Sequence, residues 1–257
     1  MEHTKKKNDP PGAGKPEKDC PPGIIVLDFD GTFIRESILV KWVLFLLLHE
    51  NLPLHRKIHF FCSSMCRGLL SLFFSSFPAT SEQAVKTAFK AFRGINGSSI
   101  EKMICHRMSF PFRFMRILPS GISADPHTVH LNPQLLAILR KIFSENAAFP
   151  EIRIYSQGSF PLAIRSFLQR EDVRKELRHM GIQPEKIILD VNEPEIGADG
   201  SFTGRLQGRI RTKYNRIYHL DENCLFIGDD ADERVIRKTG LHHLHFINWK
   251  KWGKDRE

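Results

Sequence analysis

Two carboxylates stand two positions apart at the end of an apolar run. In IIVLDFDGTFIRES, residues 24–37, Asp28 and Asp30 follow four aliphatic residues, with Gly31 and Thr32 behind them. A second apolar run, CLFIGDD at 224–230, also ends in acids, Asp229 and Asp230, with Glu233 beyond. If the two ends lie side by side, these charges cannot all stay ionised without a cation. A ligand set made only of oxygen points to Mg²⁺, which keeps several waters and takes substrate phosphate as a further ligand. A third run, EIRIYS at 151–156, ends in Ser156, with Gln157 and Gly158 next, so a hydroxyl and a closely approachable backbone N–H are offered together. Lys213, at the head of a helix, adds a point positive charge. Carboxylate nucleophile, divalent cation, hydroxyl donor and ammonium are what covalent transfer of a phosphoryl group needs. Taken singly, the acidic stretch after the first run also fits a solvated turn, since Asp and Gly are common turn formers.

Such groups need a scaffold that gathers the ends of distant segments. A continuous apolar run reads as a strand buried on both faces, as in a parallel sheet with helices on either side. Acids just past such a strand sit where open α/β sheets place their ligands. After residue 146 the pattern alternates: strands at 151–156, 186–190, 224–230 and 242–248, helices at 161–180 (closing at Gly181), 213–220 and 232–239, and a hairpin at 199–206. Alternation of this kind implies a parallel, doubly wound α/β sheet. Residues 36–146 read instead as all-helical. Their segments are an apolar 36–50, a second apolar stretch at 60–77 after Pro53, an amphipathic 81–93, a helix with a Ser98/Glu101 capping box, and a helix from Asn132-Pro133 to about Asn146. The expected organisation is therefore a tail at 1–22, a core from 23–35 plus 147–249, a helical cap at 36–146 inserted after the first strand, and a basic tail at 250–257. The tail at 1–22 is rich in Pro, Gly and Lys, as disordered segments are, and it lacks the apolar stretch of a secretory signal. Its GAGKP lacks the glycine spacing and the Ser/Thr of a phosphate-binding loop.

The net charge of +9 is unevenly spread. Residues 35–145 carry 14 basic and 6 acidic side chains, an excess of +8, whereas 146–249 balance at 15 against 15. An anionic partner is expected for the middle segment. The five cysteines are scattered, which suggests reduced thiols and a cytoplasmic setting. His55, His59, Cys62 and Cys66 fall at i, i+4, i+7 and i+11; along one helix they span about 16 Å and cannot meet at one zinc ion. Lys41 and Arg67 interrupt the two apolar stretches, so neither offers a clean run of about 20 residues to span a bilayer. Residues 36–77 fit either a buried hairpin within the cap or a peripheral contact with an anionic membrane at its inner face.

The order of these motifs resembles that of the haloacid dehalogenase-like superfamily of phosphohydrolases. DFDGT is similar to its first motif, IYSQGS to the second, Lys213 to the third and GDDADE to the fourth, and TGRLQG resembles the phosphoserine-phosphatase-like branch. The resemblance covers the first strand and residues 151–240, and implies a Rossmann-like core with a cap in the place of residues 36–146. It further implies that Asp28 is the nucleophile and Asp30 the acid and base, with Ser156, Gln157, Gly158 and Lys213 around the phosphoryl oxygens. Mg²⁺ is then expected on Asp28, Asp229 and the Asp30 carbonyl, with Glu233 in an outer position. Asp230 is a further candidate for the metal, and Arg209 or Arg211 for the role of Lys213. The second acid at position 30 favours phosphatase over dehalogenase chemistry.

Three readings of function follow. The first is a Mg²⁺-dependent phosphomonoesterase acting on a small phosphorylated metabolite. The second is the same chemistry on a lipid phosphate at a membrane, similar to the phosphatidylglycerophosphate phosphatases. The third, a basic protein without catalysis, finds no nucleic-acid recognition motif to support it, and no nucleic acid is expected as a partner.

Overall fold

The computed structural model describes residues 23–35, 38–48, 53–55, 57–59, 61–63, 66, 70, 78–105, 129–145, 150–220, 222–241 and 244–252. Along the chain the elements are β1 (Ile24–Asp28), α1 (Ile38–Leu48), α2 (Ser81–Lys90), α3 (Ser98–Cys105), α4 (Pro133–Glu145), β2 (Glu151–Ser156), α5 (Pro161–Gln169), α6 (Glu171–His179), β3 (Ile188–Val191), β4 (Glu193–Ile196), β5 (Phe202–Gln207), α7 (Lys213–Ile217), β6 (Cys224–Gly228), α8 (Asp230–Thr239) and β7 (His245–Asn248). The tail at 1–22, with its GAGKP, and most of the basic tail at 250–257 lie outside the described residues.

Five strands form one parallel sheet in the order β3-β2-β1-β6-β7. The most apolar run is the central strand. On one face, Ile25, Leu27, Ile152, Ile154 and Ile227 pack with Leu135 and Ile138 of α4, Ile164 and Phe167 of α5, and Leu177 of α6. On the other, Val26, Tyr155 and Phe226 pack with Ile217 of α7 and with Val235 and Ile236 of α8. Helices therefore cover both faces, the doubly wound arrangement that the apolar runs predict and that the resemblance implies. The chain leaves β1 for β2 on one side and returns to β6 on the other. The carboxyl end of β1 is thus a topological switch point, where open sheets leave a crevice for ligands.

Register places the chemistry. Asp28 pairs with Tyr155 and Leu27 with Ile227, so Ser156 and Asp229 both emerge at the rim beside Asp28. Gly31, with φ +77°, turns the chain back just after Asp30. The helix expected over 161–180 is two helices. Arg170 breaks it with ψ 138°, because its guanidinium reaches the carbonyl of Val129, 2.6 Å away, and pairs with Asp172. At Ser98 the helix is entered differently from the expected capping box: the Asn96 side chain accepts from the Ser98 N–H at 2.9 Å.

The helices before β2 are not isolated from the sheet. Trp42 of α1 is fully buried, stacked on Phe92 at 4.4 Å and edge-on to Phe160 and Phe202, with its indole N–H donating to Ser99 Oγ. The β4–β5 hairpin supplies Phe202, and its backbone bonds Gly94 and Ile95. Helix α4 packs directly on the sheet and leads into β2. No helix among the described residues is long and apolar enough to cross a membrane. Helical residues Leu54, Ile58 and Phe61, spaced i, i+4 and i+7, are exposed, as are His55, His59, Cys62 and Cys66. Cys62, Cys66 and Cys224 are free thiols.

Candidate functional site

Asp28 ends the central strand and is almost completely buried. Helix α8 starts at the neighbouring rim with a capping box. The Asp229 side chain accepts from the Ala231 N–H at 2.8 Å, and the Asp232 carboxylate accepts from the Asp229 N–H at 3.0 Å. A D-x-x-D cap is a common way to begin a helix. Two facts go beyond a cap. Asp232 is fully buried, and one oxygen from each of Asp28, Asp229 and Asp232 lies within 4.8 Å of the others. Among the described residues this is a group of acids close enough to hold one metal ion.

Lys213 reaches into the same space. Its ammonium stands 2.6 Å from Asp232 and 3.4 Å from Asp28. Burial alone lowers the affinity of Lys213 for its proton, but Asp28 and Asp232 outweigh it and hold the group well above its usual range. Burial, reinforced by Asp232, pushes Asp28 well above the ordinary carboxylate range despite Lys213. Thr212 caps α7 with a reciprocal Asn215 contact, and the Lys213 N–H donates to Gln157 Oε1 at 3.0 Å. The buried Asn192 then ties the two loops together, donating to the carbonyls of Gln157 and Arg211 and accepting from the Arg211 N–H. Arg211 itself pairs with Asp190, and Arg209 is exposed, so of these three cations it is Lys213 that reaches the carboxylates.

Asp30 is held apart from this group. One of its oxygens accepts from Ser156 Oγ at 2.9 Å and Ser159 Oγ at 2.7 Å; the other accepts from the Ile38 N–H at 2.9 Å. Burial raises its proton affinity, and these hydrogen bonds oppose that rise without cancelling it. Gly158 lies between the two serines in the turn after β2.

Glu233 and Asp230 point elsewhere. The Glu233 carboxylate is taken up by Lys251, Asn248 and Arg237, and these partners lower it to about pKa 2. Asp230 accepts from Asn248 at 2.8 Å and is lowered by that bond and by Lys250. Four residues at the site were not singled out from the sequence: Asp232, Ser159, Asn192 and Lys250. The three-residue spacing from Asp229 to Asp232 was a legible cap signal, and Ser159 repeats Ser156 at the same interval. Nothing in the local sequence marks Asn192 or Lys250.

No protein-family model matches the chain, and no curated protein does either. Solved structures similar to it include a phospho-aspartyl intermediate analogue of phosphoserine phosphatase, at 13% identity and a TM-score of 0.47 over 88% of this chain and 85% of that one. A HAD family hydrolase from Salmonella enterica subsp. enterica serovar Typhi is 16% identical, with a TM-score of 0.48 over 88% of this chain and 68% of that one. Cytosolic 5'-nucleotidase IIIB bound to cytidine is 14% identical, with a TM-score of 0.47 over 89% and 72%.

Proposed function

We propose that the protein is a Mg²⁺-dependent phosphomonoesterase that works through a phosphoryl group carried on Asp28. The observation behind this reading is the convergence of Asp28, Asp229 and Asp232 with Lys213 at the switch point of the sheet. The residues present fit a hard divalent cation: the donors are all oxygens, and their crowding is of the kind a cation relieves. When bound, Mg²⁺ supplies a positive centre against the phosphoryl oxygens.

The chain's own residues divide the work. An oxygen of Asp28 attacks phosphorus, and the bond from phosphorus to the ester oxygen breaks. Asp30 gives its proton to that leaving oxygen; burial raises its proton affinity, the direction a general acid needs. Asp30 then takes a proton from water attacking the same phosphorus, which frees Asp28 and releases inorganic phosphate. Lys213 and the Gln157-Gly158 backbone balance charge on the phosphoryl oxygens as it shifts, and Ser156, whose hydroxyl donates to Asp30 in the structure, turns to them when Asp30 carries its proton. Glu233 is left as an outer contact of α8, and Asp232 joins the inner group in this reading. In this reading the insertion at 36–146 is the cap that sets substrate choice, and the Trp42 cluster fixes its described helices α1 to α3 against the hairpin.

A lipid phosphate at an anionic membrane surface is the second reading of the substrate. The exposed Leu54, Ile58 and Phe61, in a segment with a positive excess, support it. A single screen separates the possibilities: phosphate release from small phosphomonoesters and from lipid phosphates in anionic vesicles, with Mg²⁺ or with a chelator. Mg²⁺-dependent release that disappears in Asp28→Asn is the expected result. Release that survives in the variant or the chelator would remove the proposal, and activity confined to the vesicle arm would select the lipid substrate.

A further inference from the structure

The turn that follows β7 is built into the rim of the site, although nothing in the motifs points to it. The Trp249 N–H donates to the Gly228 carbonyl at 3.1 Å, and its indole N–H donates to the carbonyl of Gly31 at 3.1 Å. The Asn248 side chain donates to Asp230 at 2.8 Å and Glu233 at 2.6 Å, while Lys251 pairs with Glu233. Anchored this way on both acidic loops, the turn carries Lys250 inward. Its ammonium lies 3.3 Å from Asp229 Oδ2 and 3.5 Å from Asp230 Oδ2, and 5.6 Å from the centre of the Trp249 ring.

The consequence is a charge balance at the three-carboxylate group. Lys213 serves Asp28 and Asp232, and Lys250 serves Asp229. Asp229 spends one oxygen on capping α8, so Oδ2, the oxygen facing Lys250, is the one left for a cation. An ammonium and a divalent cation then compete for the same carboxylate oxygen. Lys251 has the same charge one residue away but is committed to Glu233.

We infer that Lys250 is the resident counter-ion of Asp229, and that it must leave Asp229 Oδ2 for the divalent cation to bind. The inference rests on the cation site proposed above and adds a residue that sets its affinity. The side chain is 41% exposed, so it has room to swing into solvent and the pair is weak enough to be exchanged.

Mn²⁺ binding to the full-length protein, followed by its electron paramagnetic resonance signal without substrate, tests this. Lys250→Met is expected to bind Mn²⁺ about two- to fivefold more tightly, the worth of a part-exposed ion pair. Lys250→Arg should restore the native affinity, and Arg234→Met, which removes a charge from the exposed surface of α8 outside the anchoring contacts, should leave it unchanged. Lys250→Gln, which keeps the length and polarity of the side chain, repeats the measurement if the Met variant folds poorly. Equal tightening in the Lys250 and Arg234 variants would show only a diffuse field and overturn the inference, as would native or weaker affinity in Lys250→Met and Lys250→Gln. A native protein that binds no Mn²⁺ would instead remove the cation site itself, and this inference with it.

Discussion

Asp232 is held from two directions, by the Lys213 ammonium at 2.6 Å and by the N–H of Asp229 at 3.0 Å. Its side chain can lie there because Gly228 has none. A Cβ added at Gly228 would stand 2.9 Å from Asp232 Cβ and Cγ, closer than such atoms normally approach, and Asp232 has no free volume to yield. Gly228→Ala should therefore displace Asp232 rather than be absorbed. The expected cost is about 1–3 kcal/mol of stability from overpacking and roughly a 100-fold loss of phosphatase turnover from misplacement of about 1 Å. Urea unfolding and a phosphate-release assay on the same preparation measure the two effects; a fully active variant would mean that Asp232 has no fixed place in the site. At this scale the sequence was informative about residues whose neighbours carry the signal. Asp28 and Asp30 follow an apolar strand, and Lys213 opens a helix. Asn192 and Lys250 were invisible because their partners, at Gln157, Arg211 and Asp229, are brought to them only by the folded chain.

Helix α8 and the turn after β7 are fastened through Glu233, which accepts from Lys251 and Asn248. Those bonds hold its acid near pKa 2, against an ordinary 4.5. A depressed folded-state value means stabilisation that is complete above about pH 4.5 and is lost as pH falls toward 2. Glu233→Gln should accordingly melt lower than the native protein at pH 7, and the gap between them should close between pH 4.5 and 2. Melting curves at stepped pH check this, and a gap that persists unchanged at pH 2.5 would contradict it. Elements were legible where pattern is local. The alternation of short strand patterns with helical ones pointed to the parallel sheet, and β2 runs over the same six residues as expected, 151–156. The break at Arg170 was not, since it depends on the carbonyl of Val129, far away in sequence. A hairpin was expected over 199–206; the observed one starts earlier, pairing β4 (Glu193–Ile196) with β5, and its docking on Gly94 and Ile95 is a long-range contact that no pattern announces.

In the whole molecule, the strand order β3-β2-β1-β6-β7 is what turns five separated side chains into one rim. Asp28, Asp30, Ser156, Lys213 and Asp229 come from four segments between residues 28 and 229, and only a sheet that reverses direction at β1 puts them side by side. At the rim, Lys213 and Lys250 offset the charge of the carboxylates. Substrate choice was not legible, because the proposed reading assigns it to the packing of the helices around Trp42, which is long-range and leaves no local pattern. The central claim is that a phosphoryl group is carried on Asp28. It is tested most directly by mixing Asp30→Asn with p-nitrophenyl phosphate and Mg²⁺, quenching in acid and mapping the modified residue by mass spectrometry. The p-nitrophenolate leaves without a proton, so the first half-reaction proceeds while hydrolysis stalls for want of a base. A phosphoryl group found on Asp28, and missing when Asp28 is also changed to Asn, is the predicted result; a phosphoryl group on another residue, or none while phosphate is released at the native rate, would contradict it.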